Sequence, residues 1–318
     1  MILAAGLSTR LRPLTLRRAK PAVPFLGRPL VQRLADQLHA AGFDPPVVNL
    51  HYKGESVRDA LAGRAIRFSE ESAVMGTAGG IGWAIQQGLL RTDAPLLVVN
   101  GKIHTDVNFR TIMSHHPPGV GVTMVLTPNL EREAFREVYV EDGRVTGFGA
   151  GRTPESEAPL AFTGIQVFGP TALSRIEPRP SDTVQDVVMP LLASGDVRAM
   201  VTHRRWWECS TPERYLGLHL RAWSEGIAAG PANESVVWEN SVIDPAARVK
   251  RCIVLDEVHL PAGGLFESEV VFRDENGRMR RQALDPEHVA RSAHFAKPVP
   301  SSGTHGFAGA SSDPFDDA

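Results

Sequence analysis

The sequence predicts an α/β fold: an open, mostly parallel, doubly wound sheet followed by a short β-helix-like module. Three observations carry this. Short apolar runs alternate with amphipathic stretches over the first hundred residues, as strands and helices do when they take turns. Two of the runs, Met1 to Ala5 and Pro95 to Asn100, stop at Gly6 and Gly101, as expected of buried parallel strands feeding loops. Later in the chain, apolar residues recur six apart at Val237, Ile243, Val249 and Leu255, with a broken second register at Val236, Val242 and Val254. That period suits a β-helix, two ordinary hairpins being the other reading.

Element by element, Met1 to Ala5 is the first strand, and Pro29 to Gly42 is a helix with Leu30, Val31, Leu34 and Leu38 on one face. Val47 to Leu50 is the second strand, Ser56 to Leu61 a short helix and Ile66 to Phe68 a third strand. Gly80 to Leu90 is helical, and Pro95 to Asn100 is a central strand. From Val122 onward strands dominate: Val122 to Leu126, Val138 to Val140 before the turn Glu141-Asp142-Gly143, and Phe162 to Phe168. Thr211 caps a helix that has Pro212 at its first position. Three segments follow: a main domain over 1–230, a module over 231–283, and a disordered Pro-, Ser- and Gly-rich tail over 284–318. Four hexapeptides make little more than one coil, so the module should dock on the main domain or on another subunit of a homo-oligomer.

Composition excludes more than it assigns. With 42% hydrophobic and 22% charged residues and a net charge of −2, the chain reads as an ordinary globular protein. Two cysteines give no disulfide framework or zinc spacing, which fits a reducing cytoplasm. No apolar run approaches the ~20 residues of a membrane span, so no membrane partner is expected. Basic residues without interleaved aromatics argue against nucleic acid, and the absence of a Gly-x-Gly-x-x-Gly argues against a dinucleotide. The charges are unevenly placed: seven cations, from Arg10 to Arg33, precede the first acidic residue, Asp36. Such a stretch suits a polyanion such as a triphosphate.

The string Leu3-Ala4-Ala5-Gly6-Leu7-Ser8-Thr9-Arg10-Leu11-Arg12-Pro13-Leu14-Thr15, with Lys20-Pro21 after it, is the strongest signal. Gly6 lets the backbone turn after the strand so that the next amides can face anionic oxygens. Arg10 can add a charge-assisted contact and Lys20 a mobile point charge. The string closely resembles the signature loop of the NDP-sugar pyrophosphorylases, nucleotidyltransferases that act on sugar 1-phosphates. Further matches follow in that family's order: Phe25 to Leu30; Glu71 with Gly76-Thr77-Ala78-Gly79-Gly80; Phe162-Thr163-Gly164-Ile165; and Thr211 to Leu216. Together they cover roughly residues 1 to 265.

The resemblance implies a nucleotide-diphospho-sugar transferase fold with a left-handed β-helical end, and NTP and sugar 1-phosphate as substrates. GDP-mannose synthesis is its favoured example. It implies Arg10 and Lys20 as the catalytic cations. Leu3, Ala5, Gly6, Leu7, Ser8, Gly76, Thr77 and Gly101 would hold the nucleotide, and Thr163 and Gly164 the sugar. It also implies Mg²⁺ on two acidic residues, and here the sequence departs. One position is Lys102 and the other is Glu208, while Phe148-Gly149-Ala150-Gly151 stands where many members have Glu-Lys-Pro. Three readings of Lys102 stay open. The chain is a weak or regulatory paralogue, the lysine replaces part of the metal's charge, or the metal moves towards Asp106 or Glu208.

Overall fold

The computed structural model describes residues 1–130, 135–154 and 156–293. The chain divides into two compact units, the first built from Met1–Leu7 and Leu30–Trp207. Its nine-stranded sheet runs, edge to edge, Arg67–Glu70, Val47–Leu50, Ile2–Leu3, Leu96–Asn100, Leu160–Phe168, Val122–Pro128, Val197–Val201, Arg144–Gly149, Glu137–Glu141. The first four strands are parallel, with Ile2 opposite Val48 on one side and Val99 on the other. Beyond Asn100 the expectation of a mostly parallel sheet fails. Leu160–Phe168 is antiparallel to both its central neighbours, and only Val122–Pro128 with Val197–Val201 is again parallel. For Glu137–Glu141 and Arg144–Gly149, also antiparallel, the physical reason is connection length. The turn at Asp142-Gly143 (φ 49° and 69°) joins strands directly, and a tight turn can only reverse the chain.

Helix Leu30–Ala40 buries Leu30, Val31, Leu34 and Leu38, the face its sequence spacing predicts. Helix Gly76–Gln86 starts four residues earlier than expected, and its core contacts are Ala78, Ile81 and Ala84. A separate two-stranded ladder joins Ile103–Thr105 to Trp206–Glu208.

The second unit combines Ser8–Pro29 with the described residues of 208–293. Ser8–Pro29 has little regular structure: two short 3₁₀ turns and a hairpin of Pro24–Phe25 with Arg28–Pro29, turning on Leu26 and Gly27 at φ 50° and 77°. Helix Pro212–Ser224 begins on Thr211, whose hydroxyl accepts from the Arg214 N–H at 3.2 Å. Next come short parallel ladders on three faces: Val236–Val237 with Ile253–Val254 and then Glu269–Arg273; Val242–Ile243 with His259–Leu260; Arg248–Lys250 with Leu265–Glu267. Partners stand seventeen positions apart, as Val236 and Ile253 do. The strands therefore recur after six, six and then five residues, and the second hexapeptide register is broken where Arg248 stands six after Val242. Cys252, Val254, Val258, Leu260, Phe266 and Val271 form the core of these ladders.

The expected unstructured tail begins too early. Pro286–Ala293 is a helix that buries Val289 and Ser292 against Pro212–Ser224. Gly217 permits the approach, since a Cβ there would lie 2.5 Å from Ser292 Cβ and 2.7 Å from the Val289 carbonyl. The rest of that tail, 294–318, lies outside the described residues.

Candidate active site

In the first unit the predicted nucleotide residues gather at the carboxyl ends of the parallel strands, where open α/β sheets bind ligands. Leu3 pairs with Asn100, and the Gly101 N–H extends the ladder by donating to the Leu3 carbonyl at 2.8 Å. Gly6 and Leu7 are exposed just beyond, while Ala5 is buried. A Cβ on Gly6 would meet nothing within 4 Å, so this glycine leaves open space over the backbone. Gly164 (φ 79°) lies beside the same edge, where an added Cβ would stand 2.3 Å from Asn100 Nδ2. Thr163, 1% exposed, donates its hydroxyl to the Val125 carbonyl at 2.7 Å, and its carbonyl accepts from the Trp206 indole at 2.7 Å.

A buried polar relay supports the start of the loop. The Ala4 N–H donates to Asn49 Oδ1 at 2.6 Å, Asn49 Nδ2 donates to Glu71 Oε1 at 2.7 Å, and the Met75 N–H donates to Glu71 Oε2 at 3.1 Å. Burial pushes the Glu71 carboxyl above its ordinary range, while Asn49 and the Met75 amide pull the other way. Glu71 therefore spends both oxygens inside the fold. Sequence reasoning missed Asn49, whose signal was a lone amide in the apolar run Val47 to Leu50.

The glycines after Glu71 have a packing reason. A Cβ on Gly76 (φ 74°), Gly79 or Gly82 would lie 2.4, 2.2 or 2.4 Å from the carbonyls of Ser181, Arg179 and Glu177 in turn. The helix thus rests directly on the backbone of 177–181. Thr77 is turned to the same segment, donating to Asp182 Oδ2 at 3.0 Å and accepting from the Thr183 N–H at 2.7 Å.

Within the second unit, Arg10 is exposed on the loop, and the loop's ends are tied by the Thr15 hydroxyl donating to the Ser8 carbonyl at 3.0 Å. Lys20 is 5% exposed, with its ammonium 3.6 Å from Glu208 Oε1. Glu208 is itself buried, and its carbonyl accepts from Arg214 Nε at 2.6 Å. Burial lowers the Arg214 guanidinium to about 10 and raises the Cys209 thiol to about 12.

The nucleotidyltransferases that the sequence resembles generally use a divalent metal. The side chains here do not fit one. Glu208 faces the Lys20 ammonium, Asp106 faces Arg205 Nη1 at 3.7 Å, and Lys102 has no lone pair to offer while charged. Among the described residues no group of three His, Cys, Asp or Glu side chains could hold an ion.

The fold of the first unit places its parallel strand ends beside Leu3 and Gly101, and comparison with known proteins gives the class. The family model described as "Nucleotidyl transferase" matches residues 1–223, so the chain belongs to that family. It is similar to the mannose-1-phosphate guanylyltransferase catalytic subunit beta of Dictyostelium discoideum, 27% identical over 70% of this chain and 64% of that protein. It is likewise similar to the mannose-1-phosphate guanyltransferase of Aspergillus oryzae, 29% identical over 79% of this chain and 73% of that protein. The chain thus spans just under two thirds of the Dictyostelium protein's length. The crystal structure of HddC from Yersinia pseudotuberculosis complexed with GMP-PN shares the fold, with a TM-score of 0.57 and 20% identity over 67% of this chain and 94% of that one. Among the described residues no helix is long and apolar enough to cross a membrane.

Proposed function

We propose that the chain joins a nucleoside triphosphate to a sugar 1-phosphate and releases pyrophosphate, with GTP and mannose 1-phosphate as the favoured pair. An oxygen of the sugar phosphate attacks the α-phosphorus. The new P–O bond forms as the bond to the β-phosphate's bridging oxygen breaks, and pyrophosphate leaves with that electron pair. The protein's task is then positioning and charge neutralisation. Main-chain groups from Leu3 to Ser8, with Gly76, Thr77 and Gly101, hold the nucleotide. The exposed Arg10 meets phosphate oxygens, and Lys20 supplies a second cation from a buried site. Thr163 and Gly164 serve the sugar through backbone atoms, since the Thr163 hydroxyl is already used.

The observation that carries this reading is the strand edge at Leu3 and Gly101, continued by an all-cationic loop, within a family match over 223 residues. A non-catalytic role on the same fold is not favoured, because relatives along most of the chain bear the names of transferases. The three ladders at seventeen-residue offset support reading 231–283 as a short left-handed β-helix-like module, a docking surface for further copies of the chain. Two buried, unbridged cysteines support a cytoplasmic setting. Pyrophosphate release with a panel of NTPs and sugar 1-phosphates tests the reaction. Turnover confined to one pair supports it, and no release from any pair refutes it.

A further inference from the structure

The loop that carries Arg10 and Lys20 makes almost no ladder hydrogen bonds of its own, so side-chain anchors must fix its course. Several of those anchors come from the C-terminal strands of the same unit. Arg18 forms a two-bond fork with Asp256, Nε to Oδ2 at 2.9 Å and Nη2 to Oδ1 at 2.6 Å, and lies 5.3 Å over the Trp238 ring. Arg17 Nη1 reaches Glu257 Oε2 at 2.6 Å, and Glu239 stands 3.6 Å from Arg18. Buried Trp238 donates to the Tyr215 hydroxyl at 3.0 Å, which in turn donates to the Pro24 carbonyl. The Leu26 N–H donates to His219 Nε2 at 3.1 Å. The loop is therefore held at 17–18 and again at 24–26, on either side of Lys20.

We propose that Asp256 and Trp238 are positioning residues for triphosphate binding: the C-terminal module is the mount that sets the phosphate loop. This rests on the nucleotidyltransferase reading above. The Arg17–Glu257 pair is exposed and contributes little, whereas the Arg18–Asp256 fork is mostly shielded and geometrically specific.

The test measures GTP affinity of the full chain by calorimetry, then ATP, CTP, UTP and dTTP, alongside the melting temperature. Asp256→Asn keeps the shape and removes the charge. Trp238→Phe keeps the ring and removes the indole donor. Each should weaken binding of the preferred NTP by about 3- to 30-fold, the range of such indirect coupling, with melting still far above the assay temperature. The swapped pair Arg18→Asp with Asp256→Arg should recover most of the affinity, which a general loss of stability would not do. Unchanged NTP affinity in both single variants overturns the proposal. If the unmodified chain binds no NTP, the reading of function itself fails, and the proposal falls with it.

Discussion

Replacing Lys20 by Met keeps the length of the side chain and removes its charge, leaving the Glu208 carboxylate without the ammonium 3.6 Å away. Both side chains are under a tenth exposed, so water cannot compensate. Coulomb's law at this distance with an effective dielectric near 20 gives about 4.6 kcal/mol. Breaking one partner of a buried pair typically costs about 3–5 kcal/mol, so the two figures agree. Urea unfolding at pH 7 should lose about that much, by a lower midpoint at constant slope. A buried carboxylate without its cation titrates above its unfolded value, so the variant holds its stability below the unfolded carboxylate range and loses it as pH rises through the raised value. The deficit should therefore shrink from pH 7 to pH 5. Adding Glu208→Gln should restore most of the loss at pH 7. That double variant separates folding from function: it should be stable yet bind NTP less tightly by about 1.5–3 kcal/mol, the worth of a hydrogen bond to a charged group. A loss under about 1 kcal/mol for Lys20→Met, with no recovery from Glu208→Gln, would refute the pairing.

Four further outcomes follow from the geometry. Arg10→Ala should weaken NTP binding by about 1.5–3 kcal/mol without moving the melting temperature, because Arg10 is exposed; calorimetry showing unchanged affinity counts against its role. Gly79→Ala places a methyl 2.2 Å from the Arg179 carbonyl and should cost about 1–3 kcal/mol of overpacking, read by thermal melting; a neutral change would mean that segment 177–181 does not rest on the helix. Burial, aided by Arg33 and Arg205, lowers His104 to about 4, so stability present above pH 6.5 should fall as pH drops towards 4 while the unfolded chain takes up the proton; His104→Gln should remove that part of the acid sensitivity, and an unchanged profile would contradict it. Lys102→Asp should raise the rate found with Mg²⁺ while metal-free NTP affinity stays equal or falls; no gain, from a parent that already responds fully to Mg²⁺, would show that Lys102 is not what limits it.

What the sequence disclosed, and what it hid, divides by range. Strand Leu96–Asn100, the apolar face of Leu30–Ala40 and the Thr211 cap follow from local periodicity and capping chemistry, and all are found. The loop's place after the first strand was readable for the same reason. Hidden were features set by residues far apart in the chain. Gly76, Gly79 and Gly82 each clear a carbonyl of 177–181, about a hundred positions later, a packing need that no local pattern announces. Nor does the match at Glu71 announce that both its oxygens serve Asn49 and Met75. The resemblance implies a metal position at Glu208, and nothing local to it shows that the ammonium facing it is Lys20, 188 positions earlier. Nor could spacing reveal that Arg18 meets Asp256, because nothing local to Arg18 calls for a carboxylate.

The central claim is the transfer of a nucleotidyl group, and following the α-phosphorus measures it most directly. The full chain is incubated with GTP labelled at the α-phosphate and mannose 1-phosphate, with and without Mg²⁺, and the products are separated. The label should enter a nucleotide sugar, while an equal amount of unlabelled pyrophosphate appears. Label remaining in the triphosphate, or appearing only in the free mono- or diphosphate, across the whole panel of α-labelled triphosphates and sugar 1-phosphates would contradict it.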